Sequence, residues 1–321
     1  MKYADLIAKL TLEEKAGLTS GRDFWHTKAV ERLGIPSEMM TDGPHGLRKQ
    51  ESDSDALGLG RSVPATCFPT ASALANSWDE TLLSAVGRAL GEEAVAQGVG
   101  MVLGPGVNIK RSPLCGRNFE YFSEDPLLSG KLAAAMIRGI QSTGVSACVK
   151  HFAANSQELR RMATDSVMDE RTLREIYLPA FETAIKEGGV RSLMTAYNRL
   201  NGTYCNENEH LLRDILRGEW GFDGLVVSDW GGSNSAVAAV KAGGSLEMPS
   251  PGYTSVRELE GAVKAGTLSE ADLNARAAEV AKIAHLTKTE GVGRNDLLKD
   301  AVAAAHHEIA RKVAENSSVL L

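Results

Sequence analysis

Polar residues of unlike kinds stand just past short apolar runs, at a spacing that gathers them at one end of a sheet. Asp42 follows Met39-Met40-Thr41, and Arg117 lies in the loop after Val107-Asn108-Ile109. Lys150 and His151 end Ala147-Cys148-Val149, and Tyr197 and Asn198 end Leu193-Met194-Thr195-Ala196. Asp229 and Trp230 end Leu225-Val226-Val227-Ser228, and Glu247 comes near the end of a further run. A single polar residue past a strand is ordinary, because strands exit into polar loops. Carboxylates, cations and aromatics past nearly every run describe a polar pocket instead. Carboxylate and guanidinium groups bind pairs of hydroxyls, and an indole face covers C–H surface, so the pocket suits a polyhydroxylated ligand. Each residue also has a plainer use. An Asp before Gly and Ser is often a helix cap, a lone His a satisfied core residue, and a strand-end Lys a solvated charge. Lys150 also fits a Schiff-base aldolase, another chemistry hosted by barrels.

The elements that must position these residues are legible as alternating strands and helices. Strand candidates are Glu38–Thr41, Cys67–Ala75, Met101–Ile109, Ser146–Phe152, Ser192–Tyr197, Gly224–Ser228 and Gly244–Met248. Helical patterns fall at Thr81–Gln97, Pro126–Thr143, Glu170–Glu187, Glu207–Gly218, Asn234–Ala242, Ser255–Ala265 and Glu270–Lys288. Thr11 with Glu14, Ser77 with Glu80 and Ser269 with Asp272 read as helix starts of the capping-box kind. Such alternation calls for right-handed crossovers and a parallel sheet. The two G-x-G turns, at Gly58 and Gly104, lack a third Gly and open no helix, and no P-loop is present, so nucleotide binding is not expected. A (β/α)8-like TIM barrel is expected over residues 1–290. Seven strands are readable, so the ring is either short of one or holds one that the pattern hides. Glu290–Asn295 reads as a linker, followed by a helix from Asp296 to about Glu315 and an apolar run, Val319-Leu320-Leu321, resembling the start of a strand.

Composition excludes several classes. The 321 residues are 43% apolar and 24% charged, enough for a large core, and the 5% aromatic content puts that core on Leu, Val, Ile and Ala. A net charge of −6 argues against a nucleic-acid partner, which needs a positive field. No run approaches the roughly 18 apolar residues of a membrane span. Met1–Leu10 carries no secretory signal, and Cys67, Cys115, Cys148 and Cys205 form no C-x-x-C pair, so a cytoplasmic protein with reduced thiols is expected. His306-His307 has no metal-ligand spacing, and neither a metal nor a cofactor is expected.

Four segments together resemble family 3 glycoside hydrolases. They are Thr41-Asp42-Gly43-Pro44-His45-Gly46-Leu47-Arg48, Gly116-Arg117-Asn118-Phe119-Glu120-Tyr121-Phe122-Ser123-Glu124-Asp125-Pro126, Lys150-His151-Phe152-Ala153-Ala154-Asn155 and Val227-Ser228-Asp229-Trp230-Gly231. The resemblance runs from Leu6 to the end and is closest to the bacterial intracellular β-glucosidases of the family. It implies that Asp229 is the nucleophile of a retaining mechanism acting on terminal non-reducing β-D-glucosyl residues. It implies that Asp42, Arg117, Lys150, His151, Arg161 and Tyr197 hold the glucose hydroxyls, that Met194 lines the subsite and that Trp230 flanks the sugar. Lys150 and Arg161 are expected to hold the Asp229 carboxyl low and ionised. Of the adjacent Arg160 and Arg161, only Arg161 is expected in the pocket. Trp25 with His26 fits either the aglycone side or the core. Glu92, Glu93, Glu120 and Glu124 have no assignable motif role, and Glu247 reads better as a structural ion pair than as a pocket residue.

Departures from the family pattern narrow the expectation. The loop after His151 carries no His, so the N-acetylhexosaminidase branch, whose acid/base stands there, does not fit. In the β-glucosidase branch the general acid/base is a Glu of a second, α/β-sandwich domain, and the segment 291–321 resembles only the linker, helix and first strand leading into it. The expected partners are therefore β-glucosides or cello-oligosaccharides, together with that domain, in the same protein or as a second chain. Breakdown of cello-oligosaccharides is the implied setting, and self-association is left open. The alternative is a non-catalytic sugar-binding barrel that works only with a partner chain. Gly232 and Ser245 also depart from the family's usual residues, without an expected consequence.

Overall fold

The computed structural model describes residues 2–51, 60–287 and 300–320; the Gly58 turn and the Glu290–Asn295 linker lie outside the described residues. Its strands are β1 Met40–Asp42, β2 Met101–Leu103, β3 Ser146–Phe152, β4 Asp165–Ser166, β5 Ser192–Thr195, β6 Arg199–Leu200, β7 Thr203–Tyr204 and β8 Leu225–Val227. Five of them form a parallel sheet in the order β1-β2-β3-β5-β8, and β4, β6 and β7 form a small second sheet. The long sheet is apolar on both faces because helices cover the outside while the inside packs on itself. Along each strand the side chains alternate. Met40, Met101, Leu103, Cys148, Met194, Leu225 and Val227 share one inner cluster with Trp25, Leu246 and Met248. Val102, Ala147, Val149, Leu193 and Val226 face outward into a cluster with the surrounding helices.

The fold is α/β and barrel-like, but no closed eight-stranded barrel occurs among the described residues. Past β8, single bridges carry the curvature on: Val227 with Leu246, Glu247 with Ser20, Gly21 with Thr27, and His26 with Met39 beside β1. Two of these bridges are antiparallel, so an N-terminal turn stands where further parallel strands were expected. The expected strand at Gly244–Met248 is reduced to the Leu246 and Glu247 bridges. The expected strand Cys67–Ala75 is also corrected, since Ala71–Asn76 is a helix. Its buried residues, Ala71, Leu74 and Ala75, follow the helical period and not the strand period of two.

Helix boundaries follow local chemistry. Thr11 and Glu14 form the expected reciprocal capping box, and Ser269 caps Glu270–Leu286. At Glu80–Ala96 the cap is Asp79, not Ser77, because its carboxylate reaches the Thr81 and Leu82 amides. The single helix expected over Glu170–Glu187 breaks, running as Glu170–Thr172 and a wide turn at Leu173–Tyr177 before restarting at Pro179–Lys186. Pro179 lacks the N–H that a continuous helix requires. The last helix, Asp300–Ser317, is fastened to Glu80–Ala96 by buried His306, whose Nδ1 meets Glu93 at 2.8 Å and whose Nε2 meets Glu92 at 3.0 Å. Those two glutamates thus have a structural use that the sequence did not reveal. Ser318, Val319 and Leu320 form no strand, and Val319 and Leu320 are exposed.

Candidate active site

The alternation that builds the inner cluster also aims the polar residues at the strand ends. Met40 points inward, so Asp42 does; Cys148 points inward, so Lys150 does; Val227 points inward, so Asp229 does. These three line a cavity of about 260 Å³ together with Phe24, Trp25, Arg48, Leu103, Arg117, Arg161, Met194, Tyr197 and Trp230. Eight of the nine expected site residues therefore meet in one cavity. The ninth, His151, is wholly buried beside it.

Buried Lys150 lies 3.1 Å from Asp42 Oδ1 and 3.7 Å from Glu120 Oε2. Burial alone would discharge this amine, but Asp42 and Glu120 outweigh it and hold the ammonium above the ordinary lysine value. Burial likewise pushes Asp42 and Glu120 upward, and their cations, Lys150 foremost, more than reverse it, so both carboxyls sit below the usual range. A lysine held charged by two carboxylates is a poor Schiff-base amine, which speaks against the aldolase chemistry.

Arg117 joins this group to Asp229. Its Nε donates to Glu120, its Nη2 lies 2.6 Å from His151 Nε2, and its Nη1 stands 3.7 Å from Asp229 Oδ2. Burial and the positive field of Arg117 and Lys150 drive His151 far below its usual pKa, so the ring is neutral. A guanidinium can only donate, so Nε2 is the bare nitrogen and Nδ1 carries the proton towards Tyr121 Oη at 3.1 Å. The Asn108 side chain clamps both backbone groups of His151, accepting from its N–H at 2.7 Å and donating to its carbonyl at 2.8 Å. His151 Nε2 also stands 3.6 Å from Asp229 Oδ2, as near that oxygen as Arg117 is.

Asp229 is the odd member. Its Oδ1 accepts the Trp230 amide at 2.8 Å, while its buried Oδ2 has no hydrogen-bond partner among the described residues. Burial raises its carboxyl pKa, and Arg117 and Lys150 only partly offset that. The expectation that Lys150 and Arg161 hold this group low is therefore corrected in the net direction and for Arg161, while Lys150 does act to lower it. The direction is upward, and Arg117 is the leading cation, because Arg161 is turned towards Glu158 at 2.5 Å and lies over the Tyr197 ring at 4.5 Å. Tyr197 Oη donates to the Trp230 carbonyl at 2.8 Å, and the Trp230 indole N–H donates to the Phe24 carbonyl at 2.8 Å. These two bonds fix the aromatic wall, and Trp25 packs on Trp230 at 5.5 Å.

Several contributors were not legible in the sequence. Arg48 reaches the wall because the intervening turn folds back, with the Arg48 N–H donating to the Asp42 carbonyl at 3.0 Å. Gly43 and Gly46 have φ of 138° and 145°, and a Cβ at Gly46 would fall 2.4 Å from the Thr66 carbonyl oxygen. Glycine at both positions is a requirement of that turn. Glu120, given no role by its motif, is the shared counter-ion of Arg117 and Lys150. Conversely, Asn198 bonds the Ala153 carbonyl at 3.1 Å, Glu247 lies at a separate small cavity, His26 pairs with Asp23 and Arg160 is exposed.

Comparison with known proteins places the chain among relatives. The family described as Glycosyl hydrolase family 3 N terminal domain matches residues 11–283. Thermostable beta-glucosidase B of Acetivibrio thermocellus is 56% identical over 316 residues, which are 98% of this chain and 41% of that protein. Exo-alpha-(1->6)-L-arabinopyranosidase of Bifidobacterium longum is 48% identical over 98% of this chain and 41% of its own length. The structure of beta-glucosidase 3B from Thermotoga neapolitana in complex with alpha-D-glucose superposes with a TM-score of 0.92 at 39% identity, covering 100% of this chain and 47% of that one. The chain spans about two fifths of the length of the curated relatives it matches.

Proposed function

The chain belongs to glycosyl hydrolase family 3, and on that footing we propose that it provides the nucleophile and sugar pocket of a retaining β-glucosidase. The observation that carries this reading is Asp229 Oδ2, a buried carboxylate oxygen with no hydrogen-bond partner among the described residues, at the wall of a cation-lined cavity. A nucleophilic carboxylate needs one oxygen unencumbered and the other held, and the Trp230 amide does the holding. Loss of water around that oxygen strengthens its attack on the anomeric carbon as the leaving group departs. The Arg117 guanidinium 3.7 Å away keeps the anion within reach of neutral pH.

Asp42, Arg48, Arg117, Lys150 and Arg161 present charged partners to the hydroxyls of a pyranose. Hydroxyl contacts that shorten as the ring flattens supply binding energy specific to the transition state. Tyr197, Met194 and Trp230 supply its apolar flank, and His151 acts by holding Arg117. A general acid must keep a proton at working pH, whereas Asp42 and Glu120 are held below the usual carboxylate range. Among the described cavity residues no carboxyl suits that task. We assign it to a Glu from an α/β-sandwich domain, supplied by a longer form of the protein or by a second chain.

The test compares kcat/KM of this chain on 2,4-dinitrophenyl β-D-glucoside, the corresponding β-xyloside and cellobiose. The dinitrophenolate leaves without protonation, so the glucoside should react, the xyloside more slowly, and cellobiose lower by about the 10²–10⁴-fold worth of general acid catalysis. Equal turnover of cellobiose and the activated glucoside would show that the acid lies within these residues. No reaction with either would favour a pocket that binds sugar without catalysis.

A further inference from the structure

A second cavity, of about 520 Å³, adjoins the first. The two share Asp42, Arg48, Arg117, Lys150 and Arg161 as a common wall, while Asp229, Trp230, Met194 and Tyr197 belong to the first alone. The second cavity therefore adjoins the first through Asp42 and Arg48, runs on to Gly43, Pro44 and Leu47, and is not lined by Asp229. A pyranose with C1 on Asp229 has C4 across the ring, and a substituent on its O4 or O6 edge would have this second space to enter.

The lining of that space indicates what fills it. Away from the shared wall it is faced by Pro44, Leu47, Val63, Ala65, Cys67 and Phe119, and the Phe119 ring is about half exposed. Its polar groups are already engaged. His45 Nε2 accepts the Ala71 amide at 2.8 Å, the Thr66 amide donates to Glu93 at 3.0 Å, and Glu120 serves Arg117 and Lys150. Burial pushes His45 down to about 4, so it adds no charge at neutral pH. A further sugar would bring hydroxyls into a space that offers them few partners, at a desolvation cost. A flat apolar group would lie against Phe119 instead. Arg48 stands on the shared wall with its guanidinium half exposed and, among the described residues, only a long 3.9 Å side-chain contact to Asp42, so it can donate to an ester carbonyl.

We propose that this cavity is an acyl-binding site, which lets the pocket accept glucosides carrying an aromatic ester at O4 or O6. This inference rests on the sugar-pocket reading above and adds a substrate class to it. The test is calorimetric titration of the protein with D-glucose, 4-O-benzoyl-D-glucose and 6-O-benzoyl-D-glucose. One ester should bind about tenfold or more tightly than glucose, the ordinary worth of a well-filled apolar pocket, and which one does so identifies the oxygen. Ala65→Trp, which fills the cavity from a residue outside the shared wall, should remove the gain and leave glucose binding unchanged. Phe119→Ala should shrink the gain without disturbing the glucose contacts. Esters that both bind more weakly than glucose would overturn the proposal, as would a gain that survives both substitutions. Failure of glucose itself to bind would instead overturn the sugar-pocket reading.

Discussion

Asp229→Asn is expected to lose at least about four orders of magnitude in kcat/KM on an activated aryl β-glucoside, roughly 5.4 kcal/mol of transition-state stabilisation, while the folded protein becomes more stable. Asn keeps the oxygen that accepts the Trp230 amide but cannot form the glycosyl ester. The stability gain follows from the direction of the pKa shift. Burial raises the folded Asp229 pKa above its unfolded value, so at neutral pH folding must bury an ionised group at a net cost. That cost is fully present above the folded pKa and vanishes as pH falls through the ordinary Asp range, where both states are protonated. The melting midpoint of Asp229→Asn should therefore exceed that of the wild type at pH 7 and converge with it towards pH 4. Azide added to Asp229→Gly should restore consumption of 2,4-dinitrophenyl β-glucoside by attacking C1 and expelling dinitrophenolate, giving the α-glucosyl azide. A variant damaged only in its fold would not respond to azide.

Lys150→Met carries the second large effect, and here stability moves the other way. The ammonium is nearly inaccessible and is shared between Asp42 and Glu120. Removing it leaves buried Glu120 and partly exposed Asp42 without their shared cation; breaking a fully buried pair costs about 3–5 kcal/mol, and solvent at the one-third-exposed Asp42 side chain brings the expected cost below that. In the wild type, the lowered carboxyls stabilise the fold above the ordinary carboxylate pKa, and that stabilisation is lost as pH falls through their folded values. In the variant both carboxyls lose their leading cation and rise from their wild-type values, with Arg117 and Arg48 still beside them, so its deficit should be largest at neutral pH and shrink on acidification. Urea unfolding of the two proteins between about pH 4 and 8 checks this. A deficit independent of pH would show that Lys150 matters for packing and not as the hub of the charge network. Glucose affinity should fall with the same substitution, since the shared wall loses its central donor.

Much of the site was legible because it follows from strand parity. An inward apolar residue at Met40, Cys148 or Val227 fixes the direction of the polar residue two places on, and those places hold Asp42, Lys150 and Asp229. Loop contributions have no such period. Arg48 arrives through a glycine-dependent turn, and Glu120 through a short helix that sets it against Arg117, so neither had a readable address. Cys67–Ala75 reads as a strand although Ala71–Asn76 is a helix, because a short apolar run does not separate periods of two and 3.6. The barrel's remaining pairings were unreadable for another reason. They consist of single bridges, two of them antiparallel, made by polar residues such as Ser20, Thr27 and His26. The direction of the Asp229 pKa shift was hidden because a sequence lists neighbouring cations but not the burial that opposes them.

The central claim is that Asp229 forms the covalent bond to the sugar. Incubation with 2,4-dinitrophenyl 2-deoxy-2-fluoro-β-D-glucoside, followed by peptide mass spectrometry, tests it directly. The fluorine slows breakdown of the glycosyl ester, and the dinitrophenolate leaves without an acid, so the first half of the reaction can proceed on this chain alone. One 2-fluoroglucosyl group per chain is expected, carried by the peptide containing Val227-Ser228-Asp229-Trp230 and lost in Asp229→Asn. A label on any other carboxylate, Asp42 and Glu120 included, would contradict the account.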